Sequence, residues 1–110
     1  MTEHHLKALR ILTGNPNMSQ RKIADKLNIS LGNTNNIIRN LIKSGYVKMK
    51  RHKNEGQKLS YIYTVTINGE NKRRKLTREL LKEKTKKQDA IKEEIKLLKH
   101  EMLNFRSIMG

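Results

Sequence analysis

The sequence is poor in the residues that build cross-linked folds and membrane spans. Its 110 residues include no cysteine and no tryptophan, with one proline and one phenylalanine. The absence of cysteine excludes a disulfide framework, a thiolate nucleophile and a cysteine-based zinc site. No apolar run is long enough to cross a bilayer, and residues 1–10 lack the apolar core of a signal peptide. We therefore expect a cytoplasmic protein that does not enter the membrane.

Acidic residues are also scarce. The chain has 25 Lys/Arg against 10 Asp/Glu, for a net charge of +15. Residues 1–69 hold 12 basic and 3 acidic side chains, a net charge of +9, and residues 70–110 hold 13 and 7, a net charge of +6. This balance predicts a polyanionic partner, above all for the first part. An ordinary solvated lysine-rich surface is the alternative, and it could explain the second part entirely.

The side-chain patterns of enzyme and metal sites are missing as well. His4 and His5 are adjacent and so point apart on a helix, which suits metal ligation poorly, and we expect the histidines to lie on the surface. No glycine-rich phosphate loop follows a strand, and no nucleophile–base pair is evident. The acids near residue 90 stand at helical spacing from lysines, which predicts ion pairs rather than catalysis. We predict no enzyme, no metal and no cofactor.

A pair of short helices over residues 19–44 is the most informative feature that is present. Ser19 can cap the first helix, and Asn28 tolerates the left-handed conformation common at helix C-termini. Three apolar residues share one face of this helix: Ile23, Ala24 and Leu27. Ser30 can cap a second helix, which Gly45 ends. This order predicts a helix-turn-helix, although periodicity alone leaves an ordinary pair of amphipathic helices open.

The second helix has a core face and a polar face. We expect the core face to comprise Thr34, Ile38, Leu41 and Ile42. The polar face carries small amides, a guanidinium and an ammonium, which suit base edges and phosphates. Asparagine can pair bidentately with adenine, so we expect a mild preference for A·T-rich DNA. The candidate DNA-binding residues of this helix are Ser30, Gly32, Asn33, Asn35, Asn36, Arg39 and Lys43.

A β-hairpin is predicted to follow. Residues 47–51 alternate in polarity, residues 59–66 are rich in β-branched and aromatic side chains, and a polar segment separates them. Five Lys/Arg among residues 48–58 make this hairpin basic, as in a wing that contacts DNA. The candidate contacts are Arg51, Lys53 and Lys58. The alternative is a plain hairpin with a solvated loop. A first helix over residues 3–13 would precede all of these elements.

From about residue 68 the pattern predicts one long helix. Its apolar residues alternate by three and four positions toward the C-terminus, as in a heptad seam. The residues expected to mediate dimerisation are Ile91, Ile95, Leu98, Met102 and Phe105. Packing of this stripe on the first helix of the same chain is the alternative. We thus predict a mainly α fold with a β-hairpin wing, namely a winged helix-turn-helix domain over 1–69 and a long, coiled-coil-like dimerisation helix over 70–110.

These segments resemble a known family. The body SQRKIADKLNISLGNTNNIIRNLIKSGYV is similar to the winged-helix domain of MarR-like transcriptional regulators. The segment KLSYIYTVTINGENKRRKLTRELLKEK and the single long C-terminal helix resemble the small MarR-type regulators associated with exopolysaccharide loci. The resemblance implies a homodimeric transcription factor on palindromic operator DNA. It assigns base recognition to Asn33, Asn35, Asn36 and Arg39, and wing contacts to Arg51, Lys53 and Lys58.

Larger MarR proteins build their dimer and the effector pocket from helices at both ends of the chain. This chain has only the first helix and one C-terminal helix. We therefore assign no small-molecule effector. Two other functions use the same features. A sequence-independent nucleoid or RNA-binding protein would exploit the positive charge alone, and a protein–protein adaptor would use the helical seam on an inert winged-helix scaffold. A DNA-binding transcriptional regulator is the prediction that accounts for both features.

Overall fold

The computed structural model describes residues 1–53 and 59–109. Four helices and two strands follow one another as α1 Glu3–Gly14, α2 Gln20–Leu27, α3 Leu31–Lys43, β1 Val47–Lys53, β2 Leu59–Val65 and α4 Ile67–Met109. The strands form a two-stranded antiparallel sheet. The predicted fold class, a mainly helical winged helix-turn-helix with a long C-terminal helix, is confirmed. None of the described helices has the length and apolarity needed to span a membrane.

The helix ends follow the predicted capping residues. Ser19 Oγ accepts the Lys22 backbone N–H at 3.2 Å, and Ser30 Oγ accepts the Asn33 N–H at 3.1 Å. Each bond satisfies a donor that would otherwise be unpaired in the first turn. Asn28 ends α2 in the left-handed conformation, with φ 55° and ψ 45°. Gly45 follows α3 with φ 79°. Together these local interactions set where α2 and α3 begin and end.

The core of the first compact unit, Met1–Thr77, is built from α1, α2, α3 and the hairpin. Its fully buried side chains include Leu6, Leu9, Leu12, Ile23, Thr34, Ile38, Leu41 and Val47. One predicted core position was wrong, because Ile42 is only half-buried whereas Ile37 is buried. The buried stripe of α3 is centred near Thr34 and Leu41. Helical geometry places Ile37 about 60° to one side of Thr34 and Ile42 about 80° to the other.

Pairing in the hairpin runs from Val47 opposite Val65 to Lys53 opposite Leu59. Met49 and Arg51 lie opposite Tyr63 and Tyr61, so these four side chains share one face of the sheet. Tyr63 is 2% exposed, and its backbone N–H donates to the Pro16 carbonyl at 3.0 Å. This bond attaches the second strand to the loop that follows α1. Strand β1 extends two residues beyond its predicted end.

The histidine at position 5 corrects the prediction of surface histidines. His5 is buried, and its Nδ1 accepts the Thr2 backbone N–H at 3.2 Å and lies 2.8 Å from Thr2 Oγ1. Burial, followed by the charges of the N-terminal amine and His4, lowers the pKa of His5 from its ordinary 6.5. Its position four residues before Leu9 places it on the apolar face of α1. The neutral ring therefore serves as a helix cap.

A dense junction connects β2 to α4. The Thr66 hydroxyl donates to the Gly45 carbonyl at 2.7 Å and accepts the Gly69 N–H at 3.0 Å, so it caps α4 while holding the turn after α3. The Thr66 N–H donates to the Tyr46 carbonyl at 3.0 Å. Further along α4, Leu76 is buried, as expected for a residue that packs on the domain. The start of α4 is thereby an integral part of the first unit.

A side-chain bridge links α1 to the same end of α4. The Thr13 hydroxyl lies 2.9 Å from Glu70 Oε1, and the Arg73 guanidinium donates to Glu70 Oε2 at 3.0 Å. The hydrogen bonds from Thr13 and Arg73 lower the pKa of the Glu70 carboxyl. The Thr13 hydroxyl also lies 2.8 Å from the Leu9 carbonyl. Since it has a single proton, it donates to one of these two acceptors at a time.

The second compact unit begins at Arg78 and contains the remainder of α4. The apolar side chains of its heptad seam are 45–59% exposed: Ile91, Ile95, Leu98, Met102 and Phe105. They lie within an arc of about 80° on the helix. Leu97 and Leu103 are similarly exposed but lie outside this arc.

Candidate nucleic-acid interface

The solvent-facing side of α3 carries most of the helix residues predicted to bind DNA. Asn36, Arg39 and Lys43 are exposed and lie with Gly32 within an arc of about 60°. Asn33 is exposed about 60° to one side of Asn36. The face therefore offers two amides, a guanidinium and an ammonium over three helical turns. The hydroxyl of Ser30, another predicted contact, is occupied as the helix cap.

Asn40 lies on the same stripe but was missed by the sequence analysis. It is exposed and stands one turn after Asn36. Its position four residues beyond a predicted contact was the available signal. Asn35 differs from its neighbours because it is half-buried and lies about 100° from Asn36, on the side facing α2 and the hairpin. The two asparagines thus occupy different environments.

A groove of about 590 Å³ separates α3 from the hairpin, and we call it the α3–hairpin groove. The cations Arg39 and Lys43 line it from α3, and Arg51 lines it from β1. The apolar floor includes Ile38 and Met49. Predicted contacts of α3, namely Asn35, Arg39 and Lys43, thus meet Arg51 of the hairpin at one concave surface. The other described contacts predicted on these two elements do not line it: Gly32, Asn33, Asn36 and Lys53. An elongated polyanion could be held there from both sides.

The hairpin carries exposed positive charge on both faces. Arg51 and Lys53 lie on the face shared with Tyr61, and Lys48 and Lys50 lie on the other. Lys58, the third predicted wing contact, lies outside the described residues. Ion pairs lie on α1, where Lys7 is 3.8 Å from Glu3, and on α4, where Arg73 is 3.0 Å from Glu70. In residues 1–53 the only acids are Glu3 and Asp25, neither of which lines the groove.

A second groove, of about 710 Å³, lies between the start of α2, the start of α3 and β2, and we call it the α2 groove. It is lined by apolar side chains such as Met18 and Leu31. Four residues line both grooves: Gln20, Asn35, Tyr61 and Tyr63. The two tyrosine rings are stacked, with centroids 6.5 Å apart. These residues form the partition between the grooves.

A chain of hydrogen bonds runs through this partition. Asn35 Nδ2 donates to Gln20 Oε1 at 3.1 Å, and Gln20 Nε2 donates to Tyr63 Oη at 2.9 Å. Gln20 and both tyrosines were not among the residues predicted from the sequence. The alternation along β2 could have placed the tyrosines on one face, but no local signal connects Gln20 to a strand 43 residues away. In residues 1–53 and 59–109 no cluster of three or more acids or histidines could hold a metal ion.

Comparison with known proteins agrees with this geometry. Residues 1–48 match the family described as winged helix-turn-helix DNA-binding. No curated protein matches the chain. Among solved structures, Sco5413, a MarR family transcriptional regulator from Streptomyces coelicolor, is 25% identical over 74% of this chain and 55% of its own, with a TM-score of 0.57.

Two further structures have the same architecture. The MarR family protein RV2887 from Mycobacterium tuberculosis, solved with p-aminosalicylic acid, is 23% identical over 68% of this chain and 55% of its own, with a TM-score of 0.55. The transcriptional regulator SlyA is 22% identical over 74% and 55%, with a TM-score of 0.57. This chain therefore matches little more than half the length of each. The fold is a winged helix with MarR-family regulators among its structural neighbours.

Proposed function

We propose that this chain is a homodimeric transcriptional regulator that reads operator DNA with α3 in the major groove and with the hairpin on the adjoining backbone. The observation that carries the proposal is the α3–hairpin groove, where Asn35, Arg39, Lys43 and Arg51 converge. A recognition helix flanked by backbone contacts is the arrangement by which helix-turn-helix proteins bind DNA. The net charge of +9 over residues 1–69 supplies the attraction.

Base recognition is assigned to the amides and the guanidinium of α3. Asn33, Asn35 and Asn36 can each present a donor and an acceptor to adenine, and Arg39 can pair with guanine or a phosphate. Gly32 has no side chain and has open space around it, which permits close approach of a backbone. Ser30 and Lys43 stand near the two ends of α3, where contacts to phosphates position a helix in the groove.

The hairpin is assigned to the sugar-phosphate backbone. Arg51, Lys53 and Lys58 are the proposed contacts, in agreement with the exposure of the first two. Contacts of this kind add affinity for any DNA sequence and make binding dependent on salt. Specificity would then come from α3, and much of the affinity from the wing.

Dimerisation is assigned to the exposed seam of α4. A stripe of five large apolar side chains is costly to leave in water, and pairing with a second copy in a coiled coil would bury it. We divide the functions accordingly, with residues 1–69 binding DNA and residues 70–110 joining the subunits. A two-fold axis would then set the distance between the recognition helices.

Within the MarR-like group, we propose the small exopolysaccharide-associated type and a cytoplasmic location, with no enzymatic activity. The single long helix after the wing supports this subtype. RV2887 was solved with an aromatic acid, but we propose no effector for this chain.

Selection of binding sites from random double-stranded DNA tests the function directly. We expect enrichment of a palindromic site that survives excess calf-thymus DNA and excess RNA as competitors. Binding that the competitors abolish in proportion to their charge would indicate a nucleoid or RNA-binding protein instead. If the chain binds DNA no more tightly than a peptide of equal charge, the result would indicate the protein–protein adaptor instead.

A further inference from the structure

The hydrogen-bond chain from Asn35 to Tyr63 joins a proposed base-reading side chain to the interior of the domain. Gln20, the first residue of α2, accepts a bond from Asn35 Nδ2 and donates one to Tyr63 Oη, at 3.1 and 2.9 Å. Its amide is thus held at both ends. Gln20 is half-buried between the two grooves, so its side chain is not free to extend into solvent.

Tyr63, at the far end of this hydrogen-bond chain, is held firmly by its surroundings. Tyr63 is 2% exposed, and its backbone is fixed both by pairing with Met49 and by the bond to the Pro16 carbonyl. Its ring also stacks on Tyr61. These contacts restrict the positions that the Tyr63 hydroxyl can adopt. Gln20, which is hydrogen-bonded to it, therefore has a fixed reference point in the core.

At the near end, Asn35 has hydrogen-bonding groups beyond the N–H that it donates to Gln20. A carboxamide has two N–H donors and one carbonyl acceptor, and the bond to Gln20 uses one donor. The remaining N–H and Oδ1 form a donor–acceptor pair. Adenine presents the complementary pair in the major groove, its N7 acceptor and its N6 donor. Bidentate pairing needs one N–H and the carbonyl, so it is compatible in number with a second N–H bonded to Gln20.

From this geometry, we infer that Gln20 is a positioning residue that orients the Asn35 carboxamide for an adenine-containing base pair, with Tyr63 as its anchor. The inference rests on the proposed function, because it concerns how that same site discriminates between bases. An asparagine free in solution samples several rotamers and can turn either its amide or its carbonyl toward a base. Fixing one orientation before binding removes that freedom and with it the tolerance for other bases.

The test compares base preference among variants. The probe is the double-stranded site selected with the wild-type chain, with all four base pairs placed in turn at the position where Asn35→Ala relaxes the preference. We expect Gln20→Ala to reduce discrimination there by about fivefold or more, while its affinity for random DNA stays unchanged. In the Gln20→Ala, Asn35→Ala double variant, discrimination should equal that of Asn35→Ala alone, because the two residues act as one unit.

Two conservative variants separate positioning from mere stability. Tyr63→Phe removes only the anchoring hydroxyl and should relax the same base position, with little change in the unfolding midpoint. Gln20→Glu can accept bonds from both Asn35 and Tyr63, so it should keep the base preference while weakening binding to all DNA equally through its charge. Asn71→Ala, at an exposed position of α4, is the matched control and should alter neither property.

The outcomes distinguish this inference from the proposed function. A wild-type chain that binds no DNA overturns both. A wild-type chain that selects a site, combined with additive effects of Gln20→Ala and Asn35→Ala, overturns the positioning role alone. Equal losses of Gln20→Ala on the selected site and on random DNA would also overturn it, since they would indicate a general effect on folding or on phosphate binding.

Discussion

The carbonyl oxygen of Tyr46 occupies the space in which the Cβ of any larger residue at Gly69 would lie. Val65 Cγ1 stands 2.8 Å from that same point, so the site is closed on two sides. The contact presses the first turn of α4 against the turn after α3. Glycine is required here because of close approach, and not because of its backbone angles.

Gly69→Ala should therefore destabilise the domain by about 2 kcal/mol, because the overlap involves backbone that cannot move aside, and its cost exceeds the helix propensity gained. Urea unfolding followed by circular dichroism measures the effect. Gly14→Ala is the matched control, since a Cβ there meets nothing within 4 Å. It should be neutral or slightly stabilising. An equal loss of unfolding free energy in both variants would show that the close approach of Tyr46 does not cause the destabilisation.

A second prediction concerns pH and His5. The folded state lowers the pKa of His5 through burial, so the unfolded chain binds a proton at a higher pH than the folded one. The contribution of His5 to the free energy of unfolding is therefore fully present above the ordinary pKa of 6.5. It is lost as the pH falls through the lower pKa of the folded state. His5→Gln keeps an acceptor for the Thr2 N–H that does not titrate in this range. It should flatten the fall in unfolding free energy between about pH 7.5 and 5.

His100→Gln provides the control for that experiment, because it removes an exposed histidine from α4. Its pH profile should follow that of the wild-type chain. If the unfolding free energy of His5→Gln falls with decreasing pH as steeply as that of the wild-type chain, His5 does not contribute to acid sensitivity.

The elements that the sequence predicted are those set by local chemistry. Ser19, Asn28 and Ser30 act within four residues of themselves, so their roles as caps were visible without a structure. Helical periodicity located the core of α3 but assigned Ile42 to it in place of Ile37, since both flank the stripe. The Gln20–Tyr63 bond could not be predicted, because it exists only after the hairpin docks on α2. The burial of His5 likewise depends on the packing around α1.

Base selectivity should reside in α3. Asn36→Ala and Arg39→Ala should each cost about 1–3 kcal/mol on the selected site and much less on random DNA, since base-edge contacts exist only on the correct sequence. Fluorescence anisotropy titrations with both DNAs measure the difference. Asn71→Ala serves again as an exposed control on α4. Equal losses on both DNAs would identify these side chains as backbone contacts.

The salt dependence of DNA binding should reveal the phosphate contacts of the hairpin. If a dimer contacts six or more phosphates, log K should fall against log salt concentration with a slope of roughly −5 or steeper. Lys53→Gln removes one cation from each subunit, so it should flatten this slope by about 2 while leaving the base preference unchanged. Lys99→Gln, on α4, should leave the slope as it is. A nearly salt-independent wild-type affinity would contradict the role of the wing.

Dimerisation should depend on which face of α4 is altered. Leu97 and Leu98 are adjacent and equally exposed at 59%, but only Leu98 lies in the seam, about 100° around the helix from Leu97. Leu98→Asp places a carboxylate where the partner helix would remove it from water, which is costly without a compensating charge. The variant should sediment as a folded monomer and lose most of its affinity for a two-half-site operator, while it keeps weak binding to one half-site.

Leu97→Asp makes the same chemical change outside the seam and should remain dimeric, because its carboxylate stays in water. The pair of variants thus separates burial in a specific interface from a general intolerance of charge on this helix. Both should keep the wild-type unfolding transition of the winged-helix unit, since neither position belongs to its core. A wild-type chain that sediments as a monomer at micromolar concentration, or a Leu98→Asp variant that stays dimeric, would exclude the seam as the dimer interface.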